Sequence, residues 1–153
     1  MAGQEVANKR VVLKRYVTGF PGADDMEVVT GTARVAVPPG STAMVLKNLY
    51  VSCDPYMRGR LTKHERPSYV PDFPPGEALE NFGVCKVIAS GHQDFKVGDL
   101  VRGMTGWEEY TLIPNPESFF QDQSSWNCLC PTNNRVPEYC RAFTARGWDL
   151  STV

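Results

Sequence analysis

"LYVSCDPYMRGR", Leu49 to Arg60, closes a strand-like run that begins at Met44 and breaks at Cys53-Asp54-Pro55-Tyr56. Proline locks φ and removes a backbone donor, so the run must turn there. Three readings of the corner compete: a metal site, a ligand-contacting loop, or a plain turn. Upstream, "TARVAV" (Thr32 to Val37) alternates, "PPGS" forces a turn, and "AMVLKNLYVS" puts Val45, Leu49 and Val51 on one side with Lys47 intruding. A strand–turn–strand unit is expected there. "RVVLKRYV" (Arg10 to Val17), "FGVCKVIAS" (Phe82 to Ser90), the run after Gly98-Asp99 and "WEEYTLI" (Trp107 to Ile113) supply the other strands. Thr62 to Glu80 holds Pro67, Pro71, Pro74 and Pro75, too many for a helix or a central strand, and reads as a long ordered loop. This pattern of short strands without a long helix predicts a mainly β domain, a partly closed barrel or a sandwich.

Composition narrows the function. The chain has 153 residues, enough for one ordinary domain. Its formal net charge is −1 and its 16 basic residues are scattered, which argues against nucleic acid or an anionic membrane as partner. The opening "MAGQEVANKR" is polar, and no segment reaches the length of an apolar membrane span, so a soluble cytoplasmic protein is expected. Five cysteines, Cys53, Cys85, Cys128, Cys130 and Cys140, make an odd count that does not suit a disulfide framework.

Each reading of the corner has its own chemistry. Zinc needs about four ligands. Cys53 and Asp54 offer two, and neither His64 nor His92 pairs with a cysteine at finger-like spacing. Cys53 is therefore expected to be a small, largely buried apolar side chain at a strand end. A dinucleotide cradle needs a glycine-rich turn opening a helix. "GFPG" and "GMTG" have the wrong spacing. There remains Tyr56, a flat ring with one hydroxyl beside a stiff corner. It reads either as a ligand contact or as a half-buried tyrosine capping the barrel. Arg58 and Arg60 read as solvated loop charges, with phosphate binding as the sharper alternative.

"KRVVLKRYVTGFP", "KNLYVSCDPYMRGR", "NFGVCKVIASGH" and "FKVGDLVRGMTGWEEYTLI" together resemble the N-terminal part of plant NADP-dependent double-bond reductases, the 2-alkenal reductase group. These are similar to prostaglandin and leukotriene reductases within the zinc-free branch of the medium-chain dehydrogenase/reductase superfamily. The resemblance covers about residues 8 to 119. It implies a GroES-like, partly open β-barrel, the substrate-side domain of an enzyme that reduces the C=C bond of α,β-unsaturated aldehydes and ketones with NADPH. Hydride goes to the β-carbon, charge grows on the carbonyl oxygen, and a hydrogen-bond donor aimed there lowers the barrier. By the family pattern Pro55 and Tyr56 lie against the nicotinamide end of the cofactor. Tyr56 also faces the substrate and is the candidate catalytic residue. A second pocket aromatic falls on Phe82, where many relatives carry tyrosine, which makes the pocket more apolar. Zinc-using cousins place a histidine before the later strand, where this chain has "GEALENFGV", so no metal is expected.

Residues 121–153 depart from the family. Their sequence has no sustained period, and beyond one short helix between Pro137 and Gly147 they are expected to be poorly ordered. No Rossmann domain is encoded, so this chain is not expected to bind NADP(H) tightly. The division is thus an oxidoreductase domain over 8–120 and a divergent tail over 121–153. Three functions follow: a truncated reductase domain inactive alone, a non-catalytic β-barrel that binds other proteins and associates with full-length relatives, or a small metal protein built on Cys128, Cys130 and Cys140.

Overall fold

The protein is described by a computed structural model that covers residues 4–66 and 68–121. The expectations for the tail from residue 122 on, its short helix and its three cysteines included, lie outside the described residues. Among the described residues seven strands form two antiparallel sheets. β1 (Gln4–Leu13) pairs with β2 (Met26–Val35), from Gln4 opposite Val35 to Leu13 opposite Met26. The second sheet runs β6-β3-β4-β5-β7, with β3 at Met44–Val51, β4 at Glu80–Ser90, β5 at Leu100–Gly106, β6 at Tyr110–Ile113 and β7 at Phe120–Gln121. Among the described residues a single α-helix, α1 (Met57–Arg60), four residues long, follows the corner. The fold is mainly β and the barrel is not closed, as expected.

The sheets meet along the stretch between β5 and β6. Trp107 O accepts from Val11 N at 2.8 Å, Glu109 N donates to Lys9 O at 3.0 Å, and Trp107 N donates to Leu79 O at 2.6 Å. "WEEYTLI" is therefore split: its first three residues bind β1, and only Tyr110–Ile113 joins β3. β1 ends at Leu13 rather than Val17, because Lys14 N is claimed by Asp25 O and Val17 N by Leu61 O. β2 is longer and earlier than "TARVAV" implied, and it pairs with β1. The Pro38–Ser41 turn, closed by Ser41 N to Pro38 O at 3.2 Å, thus links strands of different sheets. Gly40, at φ +74°, supplies the left-handed residue in that turn.

Two apolar clusters form the core. One gathers Leu13, Val17, Met57, Leu61, Phe73 and Leu79 under the corner. The other gathers Met44, Leu46, Val87, Val101 and Phe119 between the strands of the larger sheet. Burying a side chain such as Leu13 or Phe73 contributes about 2 kcal/mol each. β3 is bulged between Val45 and Leu46 and again between Asn48 and Tyr50. Those bulges break the simple alternation, so Leu46 and Asn48 point inward while Leu49 is half-buried. Asn48 is satisfied there by Thr105 Oγ1 at 2.7 Å, Cys85 Sγ at 3.0 Å and the Glu108 carbonyl at 2.7 Å. This buried amide ties β3 to β4, β5 and the crossing stretch.

The proline-rich loop is ordered as expected, and its described residues up to Leu79 form neither strand nor helix. Phe73 N donates to Arg60 O at 2.8 Å and Gly76 N to Leu13 O at 2.7 Å. His64 N donates to Asp72 at 2.9 Å, and its ring nitrogen lies 2.6 Å from the same carboxylate. The backbone bond from His64, then the side-chain bond, hold the Asp72 carboxyl below its ordinary value.

Candidate functional site

β3 delivers the chain to the corner and α1 carries it away. Met57 N donates to Asp54 O at 3.0 Å and Arg58 N to Pro55 O at 3.2 Å, so the backbone passes from strand to helix across the five residues Ser52 to Tyr56. Pro55 is exposed and Tyr56 half-buried. The Tyr56 ring packs on the first core cluster, and its hydroxyl donates to Asn81 Oδ1 at 2.8 Å. Asn81, fully buried on β4, in turn donates to Asp54 Oδ2 at 2.8 Å and to Ser52 O at 3.2 Å. Ser52 Oγ reaches Asp54 Oδ2 at 3.0 Å. The corner is therefore a hydrogen-bonded unit of strand end, turn and β4.

Phe82 is the next residue after Asn81, and strand alternation sends its side chain to the opposite face. It is 59% exposed and pairs across the sheet with Met104. Tyr56 and Phe82 thus sit on adjoining elements, one ring packed under the corner and the other standing free on the sheet.

The structure overturns two readings of neighbouring residues. Cys53 is exposed, because the strand ends before it and its side chain leaves the core. Its thiol is nonetheless pushed above the usual range, first by partial desolvation and then by the Asp54 carboxylate. Burial pushes the Cys85 thiol up to about 12. A raised value leaves little thiolate at pH 8. Iodoacetamide at that pH is expected to label Cys53 more slowly than a free cysteine and to leave Cys85 untouched until the domain unfolds. Peptide mapping of the labelled chain checks this, and Cys85 labelled at the Cys53 rate under native conditions contradicts it.

Arg60 is the other correction. It is not a solvated charge: only 5% of the residue is exposed. Its guanidinium lies 3.8 Å over the Phe73 ring, Nε donates to Pro71 O at 2.8 Å, and Nη2 donates to Glu80 at 2.8 Å. Nη1 is buried without a hydrogen-bond partner. Arg60 clamps the proline-rich loop to the corner. Arg58 stays exposed, donates to Gly19 O and sits 6.0 Å from the Phe20 ring.

Sequence reasoning passed over Asn48, Asn81 and α1. The available signal was an uncharged amide standing in the inward phase of a strand, as Asn81 does with Gly83, Cys85 and Val87. Among the described residues no three His, Cys, Asp or Glu side chains cluster as a metal site would require. No helix among them is long and apolar enough to cross a membrane. Nor do they include a glycine-rich turn opening a helix, since α1 has four residues and no side-chain cap. The described residues therefore provide no helix-borne cradle for the phosphates of a dinucleotide.

Comparison with known proteins places this geometry. A family model described as the N-terminal domain of oxidoreductase matches residues 9–121. The NADP(+)-dependent 2-alkenal reductase of Nicotiana tabacum is 52% identical over 118 residues, which are 77% of this chain and 34% of that protein. The (+)-pulegone reductase of Mentha piperita is 38% identical over 120 residues, covering 77% of this chain and 35% of that one. Among solved structures, CurA from Vibrio vulnificus in complex with NADPH superposes with a TM-score of 0.66 at 30% identity, over 77% of this chain and 34% of its own. The chain spans about a third of the length of the relatives it matches. The resemblance read from the corner, β4 and the "GWEEY" stretch is thereby borne out, and the chain belongs to the family of oxidoreductase N-terminal domains.

Proposed function

We propose that residues 8–121 are the substrate-side domain of an NADPH-dependent double-bond reductase acting on α,β-unsaturated aldehydes and ketones, the strand pairing of Gln121 moving the boundary one residue beyond 120, and that the residues from 122 on are a separate segment. The observation that carries this reading is the Pro55–Tyr56 corner, an exposed proline beside a half-buried tyrosine held in a domain 52% identical to a 2-alkenal reductase. NADPH, when held, supplies the hydride. The part of this chain is to wall the reacting end. Pro55 and Tyr56 border the nicotinamide, the Tyr56 oxygen makes the polar contact, and Phe82 gives the substrate an apolar surface that sheds water.

Binding the cofactor's phosphates is the work of a cradle that the described residues do not include. Without a held nicotinamide the proximity that drives hydride transfer is lost. The purified 153-residue chain is expected to oxidise no NADPH above a no-protein blank with 4-hydroxynonenal or cinnamaldehyde, followed by absorbance. Steady oxidation would overturn this division of labour. A second reading, a binding module that docks on full-length relatives, has one observation in its favour: among the described residues β2 pairs on one side only, along ten residues. Co-purification with the tobacco reductase as a complex of defined size supports that reading, and separate elution of the two proteins removes it.

A further inference from the structure

The amide of Asn81 has one orientation that its neighbours tolerate. On one side lie Asp54 Oδ2 at 2.8 Å and the Ser52 carbonyl at 3.2 Å, with Met57 Sδ at 3.0 Å. A carboxylate and a carbonyl only accept, so the amide nitrogen must face them. The amide oxygen then faces the Tyr56 hydroxyl at 2.8 Å. An amide oxygen accepts and cannot donate, so the phenol must spend its one hydrogen inward. The reverse arrangement would set an amide oxygen against a carboxylate oxygen at a residue with 0% exposure, where an unmade bond is costly. Every hydrogen bond in the row points the same way, from Tyr56 to Asn81 and from Asn81 to Asp54.

We infer that Asn81 is a positioning residue that consumes the Tyr56 donor and presents the phenolic oxygen to the ligand as an acceptor, so that the group Tyr56 takes is a neutral N–H or O–H donor, a primary carboxamide or a hydroxyl. The inference rests on the proposal that Tyr56 borders the reacting site. It deepens that reading by fixing the polarity of the contact. Tyr56 keeps its lone pairs for the ligand, on a residue that is only half-buried. Negative charge growing on a carbonyl oxygen must then be met by a donor other than Tyr56.

The test uses the 153-residue chain labelled with carbon-13 at the tyrosine ζ position. In mixed light and heavy water, the Tyr56 ζ carbon is expected to split into two isotope-shifted lines, because a hydroxyl bonded to a buried amide exchanges slowly. Asn81→Leu, which removes the acceptor, is expected to collapse the pair to one averaged line. A single line in the unaltered chain overturns the inference without touching the proposed function, and that result needs no variant to fold.

The second arm titrates two matched pairs against the same signal: nicotinamide with N,N-diethylnicotinamide, and 4-hydroxy-2-butanone with 2-butanone. The member that carries a donor is expected to be effective at about fivefold lower concentration, the worth of one ordinary hydrogen bond. The pair that responds tells a cofactor carboxamide from a substrate hydroxyl. Equal responses within both pairs overturn the acceptor role. A split Tyr56 line with no response to any of the four probes overturns the placement of Tyr56 at the site, and with it the reading on which the inference stands.

Discussion

Gly91→Ala is expected to lower the unfolding free energy of the domain by about 3 kcal/mol or more, the range of a forced overpacking. Gly91 follows β4 and donates its N–H to Ala43 O at 2.9 Å, which brings two backbones into contact. A Cβ built on Gly91 would lie 2.0 Å from the Ser41 carbonyl oxygen. That atom belongs to the backbone of the turn leading into β3, so no side chain can rotate out of the way. Relief requires moving either the start of β3 or the end of β4, and both carry fully buried core residues such as Met44 and Val87. Gly31→Ala is the matched control. It lies on β2 with nothing within 4 Å of its added carbon and no positive φ. Its expected effect is neutral or stabilising by about 0.5 kcal/mol. Urea midpoints of the two variants, read by tryptophan fluorescence, check the contrast. Equal midpoints would contradict it.

Arg60→Ala is expected to cost about 3 kcal/mol, summed from a charged hydrogen bond and a desolvated cation–aromatic stack. The pair with Glu80 adds little, because the Glu80 side chain is 52% exposed and solvent screens it. Two consequences separate this role from that of a surface charge. Glu80→Gln should change stability by under about 1 kcal/mol. Arg60→Lys should recover only part of the loss, since an ammonium cannot both lie flat on Phe73 and reach Pro71 O. Hydrogen exchange should show the loosening in the proline-rich loop first, at the Phe73 amide that bonds Arg60 O. Loss of stability confined to β1 and β2 would contradict the clamp.

Much of the larger sheet was legible in the sequence. β3, β4 and β5 fall where the β-branched runs place them, and the prolines between Thr62 and Glu80 mark the loop. What failed were inferences of pairing. "TARVAV" and "AMVLKNLYVS" stand on either side of a turn, and short range suggests that they belong together. β1 wins β2 through a ten-residue register, while β3 sits centrally between β4 and β6. Local turn chemistry cannot show which distant strand offers the longer partner.

The corner was legible in outline for a different reason. Proline next to a strand end is a local constraint, and it does turn the chain at Cys53–Tyr56. The direction of the Tyr56 hydroxyl was not legible, because it depends on Asn81, 25 residues further on and reached only once β4 lies beside the corner. Arg60 was misread likewise. A lone arginine in a polar loop is usually solvated, and only Phe73 folding over it makes it a buried clamp. Exposure of Cys53 reflects the one-residue precision with which β3 ends, which alternation alone does not supply.

The most direct test places residues 9–121 of this chain in the tobacco 2-alkenal reductase in exchange for the matching segment, and measures NADPH oxidation with a 2-alkenal. If this domain is a working substrate side, the hybrid should turn over within about tenfold of its parent, a barrier difference near 1.4 kcal/mol. A folded hybrid that still binds NADPH yet leaves the alkenal unreduced would contradict the proposal.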